Sequence, residues 1–277
     1  MSIDRQLERQ YNARAAVPEH VDILSDWRLR SEALRNRRAC RLDLDYSQGG
    51  RSRIDLFTAG TPGAPLHVYL HGGYWQRGDR SDFHFVAEGL CARGVNVALV
   101  GYDLCPAVCI DAIVAQVRAA IAWLWRNADS LGFDAERIQI CGHSAGGHLT
   151  AMLMATRWPE VATDLPADLV HSGLAISGLY ELEPLVHTSI NEALGMTLDD
   201  ARRASPALLP RAAEAPLTLA VGGLESAEFH RQAQVLAERW PGSTVLEVPA
   251  TNHFTIVEAL ARDGALLERA LELLGHH

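Results

Sequence analysis

The chain has 277 residues, 48% of them hydrophobic, and 34 acidic residues outweigh 25 basic ones for a formal charge of −9. That length can bury a substantial core in one domain, and no Pro/Gly/Ser-rich linker divides it near the middle. The negative balance argues against nucleic acid or anionic membrane as a partner, and residues 1–14 are polar with no run of 18 apolar residues anywhere, which points to a soluble cytoplasmic protein.

Residues 3–11 and 18–38 are predicted helices, the second with Pro18 near its start and Val21, Leu24, Trp27 and Leu34 at helical spacing. Around that second helix lies the one basic cluster, Arg28, Arg30, Arg35, Arg37, Arg38 and Arg41, interleaved with Glu32. It reads as a solvated helix face, with a partner surface as the other reading. Residues 41–46 and 54–57 alternate in polarity on either side of Gly49-Gly50, the pattern of an antiparallel hairpin. A short apolar strand over 66–70 ends at His71. A Gly-containing loop, a helix over 82–93, a strand over 95–100 and a helix over 110–127 follow, the last with Ile113, Val117, Ile121 and Leu124 on one face.

Beyond Gly132 the chain predicts an apolar strand through Ile138 and Ile140, a helix over 145–157 and a strand over 169–176. Residues 177–210 read as loops and short helices. Strands over 217–221 and 244–248 and helices over 227–239 and 254–274 complete the chain. Short apolar strands that alternate with helices belong to a mostly parallel sheet with helices on both faces. With the opening hairpin it has eight strands. The fold class is therefore α/β, one domain over 1–277 with a helical N-terminal segment, 1–39, and a helical lid insertion, 178–210. The lid leaves the sheet at its C-terminal edge, where open α/β folds keep their ligands.

Cys40, Cys91, Cys105, Cys109 and Cys141 are odd in number and mostly sit in apolar surroundings, so they suit a reducing compartment rather than a disulfide framework. Cys105-x-x-x-Cys109 contains Pro106 and has no matching second pair, and reads as packed thiols rather than half a metal site.

The chain is organised around Gly142-His-Ser-Ala-Gly146, which joins a predicted strand to a predicted helix. Glycines two residues before and after Ser144 let the chain reverse tightly, so the hydroxyl can stand above the sheet as a nucleophile. His71-Gly-Gly-Tyr-Trp75 follows an earlier strand. Acyl transfer through a tetrahedral intermediate needs donors aimed at the developing oxyanion. Ala145 would supply one and Gly72 or Gly73 the other, Gly73 being preferred. No spacing matches a nucleotide-binding loop.

A triad of this kind runs serine, acid, histidine along the chain. Of the histidines after Ser144, namely His148, His171, His187, His230, His253, His276 and His277, only His253 lies in the loop between the last strand and the last helix, where a base can lean over the sheet. The acid should follow strand 217–221. Glu225 belongs to that loop, whereas Glu228 suits the first turn of the next helix on dipole grounds. Tyr74, Trp75 and, from the lid, Tyr180 are expected to enclose an aromatic pocket.

These residues resemble the arylformamidase (kynurenine formamidase) group of α/β-hydrolases, which borders on small bacterial carboxylesterases. The resemblance rests on His71-Gly-Gly-Tyr-Trp75, Tyr102-Asp-Leu-Cys-Pro106, Gly142-His-Ser-Ala-Gly-Gly-His-Leu149, Ser177-Gly-Leu-Tyr180 and Glu225-Ser-Ala-Glu-Phe-His-Arg-Gln232. It implies a triad of Ser144, Glu225 and His253, no metal or organic cofactor, and hydrolysis of N-formyl-L-kynurenine to L-kynurenine and formate in tryptophan degradation. The chain departs in its acid, which is aspartate in the mammalian and fungal formamidases and glutamate here. A carboxylesterase for short-chain or aryl esters is the alternative. A non-catalytic binding protein on the same scaffold is disfavoured because the serine and the histidine are both present. A zwitterionic substrate tail would need a polar anchor, for which Asn252, Ser177 and His187 are candidates, and no arginine stands out as a carboxylate clamp. The oligomeric state is left open, with the insertion a candidate homodimer contact.

Overall fold

The computed structural model describes residues 3–212 and 214–275; His276 and His277 lie outside them. Its strands are β1 (Cys40–Asp45), β2 (Arg53–Phe57), β3 (Ala64–Leu70), β4 (Asn96–Val100), β5 (Phe133–His143), β6 (Ser172–Ile176), β7 (Leu217–Gly222) and β8 (Thr244–Val248). They form one eight-stranded sheet in the order β1-β2-β4-β3-β5-β6-β7-β8. The pairings β1–β2 and β2–β4 are antiparallel and all others parallel, as expected from the hairpin followed by alternating strands and helices.

The order reverses at β3. The chain first steps from β3 outward to β4, then returns to lay β5 against the other side of β3. A crevice therefore opens beyond the carboxyl ends of β3 and β5, the place where doubly wound sheets bind ligands. Both motif loops, 71–75 and 142–146, leave the sheet there.

Helices of at least seven residues are α1 (Arg5–Tyr11), α2 (His20–Arg37), α3 (Ile110–Arg126), α4 (Ala145–Met154), α5 (Ala227–Arg239), α6 (Thr255–Ala261) and α7 (Ala265–Leu273). Side chains alternate along β3, and both faces are covered. Leu66, Val68 and Leu70 pack with Ile113, Val117 and Ile121 of α3, Leu149 and Leu153 of α4, and Phe229 and Leu236 of α5. Tyr69 turns to the other face, where Trp27 and Leu34 of α2, Ile256 and Leu260 of α6, and Leu266 of α7 gather. Each such aliphatic side chain contributes roughly 1.5–3 kcal/mol on burial.

Three expectations are corrected. The helix predicted over 82–93 is a 3₁₀ segment, Arg80–Val86, followed by a short α-helix, Ala87–Ala92. The final helix is broken into α6 and α7 at Arg262-Asp-Gly264, where Gly264 has φ 155°. On α2, Trp27 and Leu34 are buried but Val21 is 64% exposed, because the helix touches the core with one end of its apolar stripe only. The arginine cluster is solvated only in part: Arg28 and Arg37 are exposed and paired to Asp82 and Glu88 across the surface, whereas Arg30 is half-buried over the Phe85 ring and Arg35 donates to Ser81 O at 3.1 Å. Such pairs add little to stability. Among the described residues, no helix is long and apolar enough to cross a membrane.

The interior carries titratable groups as well as hydrocarbon. On β3, His67 meets Gln139 Oε1 of β5 at 2.5 Å, and on α4 His148 Nε2–H donates to Ala204 O at 2.7 Å. Burial holds both imidazoles at a pKa of about 4. In the unfolded chain they protonate near 6.5, so between about pH 6.5 and 4 the unfolded state binds more protons and stability drains away as pH falls. Each histidine should cost about 2 kcal/mol by pH 5 relative to neutrality. Urea midpoints measured from pH 7 to 5 should fall accordingly, and an unchanged midpoint would contradict buried neutral histidines.

Candidate active site

The turn from β5 into α4 is backbone packed on backbone. A Cβ on Gly142 would lie 2.2 Å from Gly146 O, and one on Gly146 would lie 1.9 Å from Leu70 O at the end of β3. No side chain fits at either position. Ser144 between them adopts φ 57° and ψ −116°, a conformation that L-residues avoid and that only an over-determined setting maintains. Here the Ser144 amide donates to Ile176 O at 2.8 Å and its carbonyl accepts the first bond of α4, from His148 N at 3.1 Å.

The His71–Trp75 loop lies directly beside it. A Cβ on Gly72 would stand 3.2 Å from Ser144 Cβ, and Gly73, at φ 120°, is folded so closely that a Cβ would meet Arg77 O at 2.1 Å. His71 clamps this loop. Its ring is stacked between Tyr102, at 4.3 Å, and Phe83, at 5.9 Å, while Nδ1–H donates to Gly72 O at 2.8 Å. Tyr102 OH donates to His71 O at 2.6 Å, which gives the Tyr102-containing motif its physical purpose. Among the described residues the amides of Gly72, Gly73 and Ala145 donate to no protein acceptor, the condition for oxyanion donors.

His253 Nε2 stands 3.1 Å from Ser144 Oγ, and its Nδ1–H donates to Glu225 Oε2 at 2.6 Å. The other carboxylate oxygen of Glu225 accepts from Gly222 N at 2.7 Å and from Ser177 Oγ at 2.5 Å. The Glu225 carboxylate is thus fully enclosed and held at three points. Glu228, the other candidate acid, is engaged elsewhere, accepting from Tyr11 OH at 2.6 Å and from Arg231. Burial, and then the neighbouring His253, push the His143 imidazole well below its ordinary range. It stays neutral and donates Nε2–H to His253 O at 2.7 Å, fixing the backbone of that loop. Ser144, Glu225, His253, Gly72, Gly73 and Ala145 are therefore brought together as the sequence predicts.

The substrate pocket differs from the expectation. A cavity of about 440 Å³ opens over Ser144 and His253, lined by Gly72, Gly73 and Tyr74 but not by Trp75, Tyr180 or Asn252. Trp75 is fully buried, edge-on to His148 at 4.9 Å. Tyr180 is fully buried too, its hydroxyl filling the space in front of Gly178. Asn252 Oδ1 accepts from Phe254 N and Thr255 N, both at 2.9 Å, and caps α6. The other candidate anchors are also displaced: Ser177 serves Glu225, and His187 lies off the cavity.

The insertion forms the expected short helices, Glu183–His187, Asn191–Leu194 and Leu198–Arg203, yet only Ser189 and Ile190 of it reach the cavity. The far wall is the N-terminal segment, with Asn12, Arg14, Leu24 and Trp27 facing Phe83, Phe254 and Arg77. Sequence reasoning missed that wall. Its one signal was Trp27, a large apolar ring in a helix otherwise rich in charge.

A parallel sheet with a strained serine turn at its switch point, a glycine loop beside it, and a histidine and a carboxylate arriving from the last two β-strand exits defines the α/β-hydrolases. A family model described as BD-FAE matches residues 54–167. A crystal structure from Silicibacter sp. TM1040, provisionally called a thioesterase, superposes with a TM-score of 0.86 at 32% identity, covering 99% of both chains. The kynurenine formamidase of Salmo salar is 30% identical over 98% of this chain and 96% of its own length. A carboxylesterase of Mycobacterium tuberculosis is 37% identical over 32% of this chain and 28% of its own. The chain belongs to the kynurenine formamidase family of α/β-hydrolases, and it is an enzyme of the hydrolase class.

Ser177, one of three candidate anchors for a substrate tail, instead donates its hydroxyl to Glu225. Hydrogen bonds to charged partners are worth about 1.5–3 kcal/mol. Ser177→Ala should therefore lower kcat roughly 10- to 100-fold with little change in KM and an unaltered circular dichroism spectrum. A variant with undiminished kcat would show that Gly222 N alone suffices to orient Glu225.

Proposed function

We propose that the chain is a serine hydrolase that cleaves N-formyl-L-kynurenine to L-kynurenine and formate. The observation that carries this reading is the unbroken hydrogen-bond line from Ser144 through His253 to Glu225, opening into a cavity with an aromatic wall. Near full-length similarity to a kynurenine formamidase supports the formyl amide as the scissile group.

In this reading His253 Nε2 takes the Ser144 proton as Oγ attacks the formyl carbon, and the amides of Gly73 and Ala145 receive the oxyanion. Collapse expels the aromatic amine, protonated by His253. Water then attacks the formyl ester with His253 again accepting the proton, and formate leaves as Ser144 is restored. Glu225 keeps Nδ1–H directed away from the reacting atoms and stabilises the imidazolium that forms between the two transfers. The acyl side is confined by Gly72 and Gly73 against the elbow, which suits a group as small as formyl. The leaving-group side faces Tyr74, Trp27, Phe83 and Phe254, which suit an aromatic ring.

The partner is thus a small molecule rather than nucleic acid or membrane. Five free cysteines, Cys109 exposed among them, support a cytoplasmic location, where thiols stay reduced. Hydrolysis of short-chain or aryl esters is the second reading, supported by the partial similarity to a mycobacterial carboxylesterase.

Ser144→Ala should lower kcat by roughly four orders of magnitude or more while leaving the fold intact. Substrate choice is read from kcat/KM for N-formyl-L-kynurenine against 4-nitrophenyl esters from acetate to octanoate. A preference for the formyl amide of 10²-fold, about 2.7 kcal/mol of transition-state discrimination, is the expected result. Undetectable turnover of the amide beside rapid acetate hydrolysis would replace it with the esterase reading.

A further inference from the structure

The cavity over Ser144 is lined by five charged side chains from three parts of the chain: Glu8, Arg14, Arg28, Arg77 and Asp82. Both carboxylates are already engaged. Glu8 accepts from Ser189 N at 2.8 Å, Ser189 Oγ at 2.7 Å and Asn12 Nδ2 at 3.3 Å, and Asp82 pairs with Arg28 at 3.1 Å. Arg14 and Arg77 are different. Among the described residues neither guanidinium has a carboxylate partner or a side-chain hydrogen bond. Partial desolvation, and then the charge of Arg77, hold the Arg14 guanidinium below its ordinary range. Two like charges thus face one another's field at the mouth of a catalytic cavity, in a chain whose overall charge is −9. Left alone they repel, and an anion between them would relieve that repulsion.

The backbone fixes both arms. Arg77 rides on the oxyanion loop itself, since the amides of Gln76 and Arg77 both donate to Gly73 O, at 3.1 and 3.2 Å. Arg14 lies in the short turn Ala13–Ala16, just after α1. Tyr74, three residues before Arg77, donates its hydroxyl to the carbonyl of Tyr11, three residues before Arg14. That one bond ties the two arms together. Both arginines are exposed, at the rim rather than the floor, so an anion held by them belongs to the part of the substrate farthest from the scissile carbonyl.

We propose that Arg14 and Arg77 form a carboxylate clamp at the cavity mouth that selects substrates whose leaving group carries a carboxylate remote from the bond cleaved. The proposal rests on the hydrolytic reading of Ser144 and deepens it. N-formyl-L-kynurenine has this layout, with formyl at one end and an amino-acid carboxylate at the other. Guanidinium forks match a carboxylate's two oxygens, which makes arginine the side chain suited to that task.

The test is a selectivity ratio measured on two substrate pairs with the full chain. One pair is N-formyl-L-kynurenine and its decarboxylated analogue; the other is 4-acetoxybenzoate and phenyl acetate. In the unaltered enzyme kcat/KM should favour the carboxylate-bearing member of each pair. The double variant Arg14→Gln/Arg77→Gln should lower that ratio at least tenfold, chiefly through KM, and added salt should lower it in the unaltered enzyme as well. Arg77→Lys should keep part of the preference, and Arg157→Gln, which removes an exposed arginine paired with Glu160 and absent from the cavity lining, should keep all of it. A ratio near one in the unaltered enzyme, or an undiminished ratio in the double variant, overturns the clamp. Turnover of N-formyl-L-kynurenine with no dependence on these arginines overturns the clamp and leaves the formamidase reading standing. An arginine-dependent ratio on the ester pair without turnover of the formyl amide does the reverse.

Discussion

Everything at this site depends on one close approach, that of Gly146 to the carbonyl of Leu70. It brings the first turn of α4 against the end of β3, and the elbow bends because only three residues separate that contact from Gly142. Ser144 inherits the strain as a positive φ. A conformation of this kind costs of order 1–3 kcal/mol, and here the cost is offset by neighbouring elements rather than by the turn itself. The same approach sets the Gly72–Gly73 loop, which leaves β3 one residue later, beside the Ser144 side chain. One backbone contact thus fixes the relation between serine and amide donors without a side chain of its own.

That dependence explains which parts of the site were legible in the sequence. A close backbone approach excludes every side chain, so it leaves glycines at fixed spacing, and the elbow and the His71–Trp75 loop could be read directly. His253 and Glu225 could be read because strands β7 and β8 have short apolar signatures, and the loop after each has few candidate residues. The sheet was legible for a similar reason: strands buried on both faces read as short apolar runs, and only helix ends were misplaced, at Gly264 and in the 3₁₀ turn ahead of Ala87.

The pocket wall was not legible, and the physics differs. Aromatic residues next to a motif serve either cavity or core, and nothing in their identity distinguishes the two. Tyr74 and Trp75 both take positive φ, yet Tyr74 lines the cavity while Trp75 turns inward against His148. Tyr180 was placed in the enclosure because its insertion leaves the sheet on the correct side, but its ring closes the space above Gly178 instead. The N-terminal wall was invisible for a different reason. Its contacts join residues more than two hundred positions apart, Tyr11 to Glu228 and Trp27 Nε1 to Glu258, and no local pattern encodes them.

Those long-range contacts make the wall part of the catalytic frame. Tyr11 is buried, and its hydroxyl, raised above the usual range by burial and by Glu228, remains a donor to Glu228 Oε2 while accepting from Gln232 Nε2 at 2.8 Å. Gln232, fully buried on α5, accepts from the amides of Tyr180 and Glu181 at the start of the insertion. Arg231 bridges Glu228 to Glu181. Because α5 begins two residues after Glu225, this network joins the acid-bearing loop, the insertion and the N-terminal segment through groups that are mutually satisfied. A partly buried polar network is costly when any member is removed, since the others lose their partners in a low-dielectric setting. The wall that faces the cavity is therefore not a loosely apposed flap. It is held to the same helix that follows the acid, so the shape of the cavity and the alignment of Glu225 with His253 are set by one connected structure.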